Sequence, residues 1–582
     1  MEKVDLTIKN IDVFNSYLKK FINADVYILE DRIYYVDTKK DGNFTSKKII
    51  DGTGKYMIPG LVDIHMHIES SMMTPEPFCR RLASCGVTTI VAEPHEIANV
   101  RGLDGIRHMI EAGKHSMIDV YYGIPSSVPS TNKKLETTGG KIDFRDMKKL
   151  LQYENVICVG EIMNCRQIIK KNSLEITKFL KYLRKNKPNY VIEGHCPSLV
   201  NLDLAKYLYL GINGDHTEHS LEEIKQRFAN GMFVEIQEKM LRQEILNYII
   251  ENNLYEHCGF VTDDTMADKL YKYGHLNLIV KKAMSLGFSK ENAIYCGTYT
   301  NSRRMNLTDR GAIAPGKLAD FILLNDIENF DIVSVYKNGR QIYSAGDTME
   351  DKSSSYIFPK NYYHSVCVKS LSKEDFIIPV KEDVDSVIVK VMQVVNGSTQ
   401  TKIKKIEMPV VNHELKWQGS GCLLTMVLER YGKNGNIGLG FVTGDCIKHG
   451  AVATTHSHDH HNLMVIGESI ESMMLAIKRI TELQGGIVTV YSEKILEELQ
   501  LNVCGIMSSG SVKEIGLSVK RIRESLEQLG YKHYNPISSL CTLALPVSPA
   551  LKLTDMGLVD VKKGCIVPLY ETTDTMSAKG KN

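Results

Sequence analysis

From Leu61 to Thr262 the chain alternates short apolar segments with helical stretches, and this rhythm limits the available folds more than any other feature. The strand candidates are Leu61–His67, Thr88–Ala92, Asp119–Gly123, Val156–Glu161, Tyr190–Glu193, Gly211–Asp215, Met232–Ile236 and Phe260–Thr262. Helices are expected between them, for example at Asp143–Tyr153, Ile176–Lys185, Leu202–Leu208, Ser220–Asn230 and Leu276–Leu286. Parallel strands need a crossover of about a dozen residues or more, usually a helix. Eight such units in about 240 residues have the size and order of a (β/α)8 barrel, whose chemistry gathers at the C-terminal strand ends.

The flanks read differently. Ala24–Glu30, Arg32–Val36 and Lys48–Asp51 look like short strands, Gly311–Leu323 like a turn plus strand, and Val333–Tyr343 like a hairpin turning at Asn338-Gly339. The expected organisation is an α/β protein of three parts. A discontinuous small β-sandwich domain comes from residues 1–58 plus 305–345, and the barrel occupies 59–304. An additional C-terminal α+β domain over 346–582 is entered through the polar run Ser353-Ser354-Ser355.

Composition excludes several classes. With 43% hydrophobic and 24% charged residues, the 582-residue chain is that of an ordinary globular protein. A net charge of +2 gives no reason to expect nucleic acid or an anionic membrane as a partner. No apolar run reaches the roughly 18 residues of a membrane span, and Met1–Leu6 lacks the core of a signal peptide. Thirteen scattered cysteines do not form a disulfide framework. Reduced thiols at Cys158, Cys165 and Cys196, near the candidate site, point to a cytoplasmic location.

The strand ends carry the chemistry. His65 and His67 lie two apart on the first strand, so they project from one face about 7 Å apart. The fourth strand ends at Glu161, the fifth at Glu193-Gly194-His195, the sixth at Asp215-His216 and the eighth at Asp263. Singly, each has an ordinary structural use: Glu161 in an ion pair, His195 or His216 as a helix cap or core histidine. Together, imidazoles and carboxylates in one order on successive strand ends suit divalent zinc, iron or manganese. Four histidines and two acids exceed the needs of one ion and match two ions bridged by a carboxylate.

This order resembles the amidohydrolase superfamily: His-x-His on strand one, a bridging group on strand four, histidines on strands five and six, an aspartate on strand eight. The stretch Ala314-Pro315-Gly316-Lys317-Leu318-Ala319-Asp320 fits the same pattern. Three further stretches are similar to the bacterial and archaeal adenine deaminase family. They are His67-Ile68-Glu69-Ser70-Ser71-Met72, Glu93-Pro94-His95-Glu96-Ile97-Ala98-Asn99-Val100, and Asn436–Phe441 with His458-Asp459-His460-His461-Asn462. The resemblance implies hydrolysis of adenine to hypoxanthine and ammonia with two Mn2+ or Fe2+ ions, zinc being compatible with the same ligands. It implies the metal ligands His65, His67, Glu161, His195, His216 and Asp263. A metal-bridged hydroxide would attack C6, with Asp263 shuttling the proton and His216 as ligand or polarising group. His95 and Glu96 would contact the purine, loop and helix capping being their other use. The expected partner is a small purine base, with the chain in a homo-oligomer.

Three points stay open. His219 competes with His216 for the strand-six role. Val234–Lys239 lacks an arginine that many family members carry there, so another cyclic amidine or amide is an alternative substrate. The run His456–His461 serves either as a further metal site or as a polar loop at a domain interface. A non-catalytic scaffold is the reading from a different class, and it would be expected to have lost ligands that this chain retains.

Overall fold

Eight short segments with both faces apolar form parallel strands, because only strands covered on both sides hide such residues from water. In the computed structural model, which describes residues 2–170, 174–348 and 351–571, these are β1 (Leu61–Met66), β2 (Val87–Ala92), β3 (Asp119–Ile124), β4 (Val156–Ile162), β5 (Val191–Gly194), β6 (Gly214–Asp215), β7 (Phe233–Ile236) and β8 (Cys258–Phe260). Every residue of β1 and β2 is buried. Strands β1 to β5 pair in sequence as one parallel sheet and β6 to β8 as another. Asn213 donates its N–H to the Ile192 carbonyl at 3.3 Å, and Asp263 donates to the His65 carbonyl at 3.1 Å, so both seams between the sheets carry a backbone bond. Helices with their own start signals separate the strands. Asp143 and Ser220 each close a capping box, with Asp146 and Glu223.

The chain before β1 and the chain after the last helix share one sheet. Tyr56–Pro59 lies between Glu2–Asn15, which it pairs in parallel, and Phe321–Asp326, which it pairs antiparallel. The eight strands form one hydrogen-bonded sheet where two stacked sheets were expected of a sandwich. The long strand Glu2–Asn15 spans it: it holds Phe44–Asp51 along its first half and Tyr56–Met57 beyond the bulge between Ile8 and Ile11. The hairpin at Asn338-Gly339 forms as expected, both residues having positive φ. Gly60 joins this sheet to β1 where no side chain fits, since a Cβ there would meet Thr88 Oγ1 at 2.2 Å.

The C-terminal part carries a ten-stranded mixed sheet with the helices Ile470–Leu483 and Val512–Gln528. It docks onto the loops that follow β1, β3 and β8. Ser508 accepts from Thr74 N–H at 3.1 Å and donates to Met72 O at 2.8 Å. Asp555 accepts from Thr137 N–H at 2.9 Å, and Arg523 pairs with Asp268 at 2.8 Å. The run Ser353–Ser355 is pinned: Ser354 N–H bonds to Ser509 O, and Ser355 donates to Glu76. No helix among the described residues is long and apolar enough to cross a membrane.

At the opposite end of the parallel strands, buried charges tie the flanking sheet to β2 and β3. Lys337 Nζ lies 2.8 Å from both Asp119 and Asp320, and Arg310 pairs with Asp119 and donates to Thr89 Oγ1. Removing one partner of such a pair strands the other charge. Lys337→Met, which leaves the buried Asp320 carboxylate without its cation, is expected to cost about 3 kcal/mol in the urea unfolding transition. Adding Asp320→Asn should recover part of that loss. Equal stability of Lys337→Met and the parent would contradict this.

Candidate metal centre

Parallel strands aim their C-terminal ends at one place, and the residues just past those ends converge there. Glu161, at the end of β4, is 4% exposed and lies at the middle of the group. Its Oε2 is 2.5 Å from His195 Nδ1 and 3.3 Å from His216 Nε2, and its Oε1 is 3.5 Å from His67 Nε2. Asp263, following β8, places Oδ1 3.7 Å from His67 Nε2 and 4.0 Å from His65 Nε2. Among the described residues, overlapping sets of donor atoms lie mutually within 4.8 Å, among them His65, His216 and Asp263; His65, His67 and Glu161; Glu161, His195 and His216; and His67, Asp263 and Asp264.

The donor set fits cations. His67 Nδ1 faces the Glu93 carbonyl at 3.0 Å, and a carbonyl only accepts, so Nδ1 carries the hydrogen. The Nε2 lone pair then faces the Glu161 and Asp263 carboxylates, an arrangement that requires a proton or a metal between them. Such a second hydrogen bond is how a ligating histidine is usually oriented. His65 Nε2 is buried and has no hydrogen-bond partner among the described residues, a costly state unless a cation takes it up. Ring spacing agrees. Imidazoles sharing a tetrahedral ion at about 2 Å have centroids about 5 Å apart. The His65–His67 centroids are 5.2 Å apart and those of His195–His216 5.1 Å.

Charge is correspondingly uneven. Burial opposes a charged His216, but Glu161, then Asp263 and Glu235, outweigh it and raise its pKa to about 10. Burial, then the neighbouring His216 and His67, push His65 well below its usual value. Burial also opposes ionised Glu161, yet His195 and His216 hold it well below the carboxylate range. Asp263 has φ 57°, the left-handed region that a non-glycine residue enters at some cost. Its side chain keeps 18% exposure against 3% for His65 and His67, and with the exposed Asp264 beside it this acid borders the open side of the cluster.

The other acids and histidines of the strand ends have different partners. His219 Nε2 lies 2.6 Å from Asp215 Oδ2 and 3.0 Å from Thr217 Oγ1, so of the two histidines after β6, His216 is the one beside Glu161. Asp215 is further held by Arg227 Nε at 2.9 Å and Cys196 N–H at 3.2 Å. Glu193 pairs with Arg304 at 2.7 Å. His95 lies beside the centre, with Nδ1 3.6 Å from Glu161 Oε1. Glu96 faces the other way, and its two oxygens bond His458 Nδ1 and His461 Nε2 of the C-terminal part. Thus the His456–His461 run is held against the start of the helix that carries His95 and Glu96.

Three further acids belong to this neighbourhood. Glu93 accepts the Glu161 N–H at 2.5 Å, Glu235 is 4.0 Å from His216 Nδ1, and Asp264 takes a hydrogen bond from Ser70. Their sequence signals were slight: Glu93 precedes Pro94 at the end of β2, and Asp264 simply follows Asp263.

Comparison with known proteins agrees with this arrangement. The amidohydrolase family model matches residues 56–342, and the adenine deaminase C-terminal domain model matches residues 398–565. An adenine deaminase of Clostridium perfringens is 47% identical over 575 residues, covering 98% of this chain and 100% of that protein. An adenine deaminase 2 of Shouchella clausii is 46% identical over 568 residues, covering 97% and 99%. An adenine deaminase of Lactobacillus delbrueckii subsp. bulgaricus is 40% identical over 575 residues, covering 98% and 100%. With identity this high along essentially its whole length, the chain belongs to the adenine deaminase family.

Proposed function

We propose that this chain hydrolyses adenine to hypoxanthine and ammonia, with its active centre at the C-terminal ends of β1 to β8. The observation that carries the reading is the cluster of buried His65, His67, Glu161 and His216 with the partly exposed His195 and Asp263 in a chain of this family. We read the eight strands as a closed (β/α)8 barrel, supported by the backbone bonds at both seams. We read residues 1–58 plus 305–345 as the small β domain, 59–304 as the barrel and 346–582 as the C-terminal domain.

Two divalent ions, Mn2+, Fe2+ or Zn2+, would be held by these six residues, with Glu161 shared between them. When bound, such a pair supplies positive charge that makes water acidic near neutral pH. The residues of the chain do the remainder. Asp263, the most accessible of the acids in the cluster, takes one proton from the attacking water and delivers it to the C6 amino group. The C6–N bond then breaks and ammonia leaves, while the second proton of the water ends on N1 of hypoxanthine. His216, stacked on His65 at 3.7 Å between ring centroids, is held in place for its ligand role. His95, whose Nδ1 lies 3.6 Å from Glu161 and 3.8 Å from Glu93 without a hydrogen bond, borders the same centre and contacts the purine. Glu96 acts on the same pocket through the loop it binds. The thirteen unpaired cysteines suit a reducing, cytoplasmic setting.

Ammonia release from adenine by the manganese-loaded enzyme tests this reading. Bound metal with no ammonia from adenine would refute it, and turnover of another cyclic amidine would favour the alternative amidohydrolase. Asp263→Asn should keep the fold and lower kcat by about 100-fold or more; activity near the parent's would put the proton carrier elsewhere. His95→Ala should raise KM for adenine more than it lowers kcat, and an unchanged KM would remove His95 from the purine site.

A further inference from the structure

A second cluster of donors lies beyond His95, outside the six-residue centre. Glu96, at the start of the helix His95–Gly113, faces His458 and His461 of the loop between strands Ala451–Thr454 and Leu463–Gly467. One donor atom from each of these three residues lies within 4.8 Å of the others, and all three are buried. His456 stands beside them, fully buried, and neither of its ring nitrogens has a hydrogen-bond partner among the described residues. A hydrogen-bonded network of Glu96 with two histidines explains His458 and His461. It does not explain a third imidazole kept dry with both nitrogens idle, which costs free energy with no return.

A metal ion accounts for all four. The ring centroids are 5.0 Å apart for His456–His458, 5.7 Å for His456–His461 and 5.8 Å for His458–His461. These distances are near the roughly 5 Å expected of imidazoles that share one tetrahedral ion. The spacing matches that of the pairs His65–His67 and His195–His216. Three imidazoles and one carboxylate are donors that suit zinc-class ions.

We propose that Glu96, His456, His458 and His461 form a separate site for one divalent metal ion, which clamps the C-terminal loop onto the helix after β2. Its ligands are 362 residues apart in sequence for Glu96 and His458, so the ion ties together two distant parts of the chain in addition to their other contacts. The loop that it fixes binds Glu96, the neighbour of His95, which borders the proposed catalytic centre. Occupancy of this site therefore sets how firmly Glu96 is held.

Metal counting on the full-length holoenzyme tests the proposal. Protein grown with both Mn2+ and Zn2+ and then dialysed is expected to carry about three ions per chain by plasma mass spectrometry, falling to about two in His461→Ala and in His456→Asn. His67→Ala separates the two centres: it should deplete the paired site and leave this ion bound. A count that stays at the parent's value in both loop variants overturns the proposal, whatever becomes of the paired centre. If His67→Ala leaves the count unchanged while the loop variants lower it, this site stands and the paired centre fails. Should His461→Ala not fold, the more conservative His456→Asn decides the question.

Discussion

One buried carboxylate organises this molecule. Glu161 faces His67, His195 and His216 from the end of β4, and each of those rings comes from a different strand end. A carboxylate in that position is expensive to bury unless positive charge surrounds it. The structure meets the cost by bringing lone pairs and carboxylates together where only protons or metal ions can sit between them. The surrounding bonds, from Glu93 to the Glu161 N–H and from His67 to the Glu93 carbonyl, hold the ligands in that posture.

The fold serves this arrangement by division of labour. Parallel strands deliver side chains to one end, and a buried ionic cluster of Lys337, Arg310, Asp119 and Asp320 secures the other end to the flanking sheet. The ionic cluster and the histidine–carboxylate cluster therefore sit at opposite ends of the same strands. The C-terminal part adds a third element, since its histidine loop reaches Glu96, the neighbour of His95.

Much of this was legible in the sequence. The order of His65-x-His67, Glu161, His195, His216 and Asp263 could be read because each follows a recognisable apolar strand. Where sequence reading stopped, the reasons are physical. The strand Glu2–Asn15 escaped notice because a bulge between Ile8 and Ile11, with Asn10 at positive φ, breaks its alternation. Choosing between His216 and His219 required the fold, since only the packing of Asp215 and Thr217 engages the His219 ring. Ser353–Ser355 has the composition of a linker, but Glu76 and Ser509 pin it. The pairing of Glu96 with His458 and His461 has no local signature at all.

As proposed above, Glu161 would be shared by two metal ions at the strand ends. A crystal of the manganese-grown enzyme, measured on both sides of the manganese absorption edge, tests it directly. Two anomalous peaks are expected flanking Glu161, one beside His65 and His67 and the other beside His195 and His216, with Asp263 near the first. A single peak, or peaks that leave Glu161 without a metal, would contradict it.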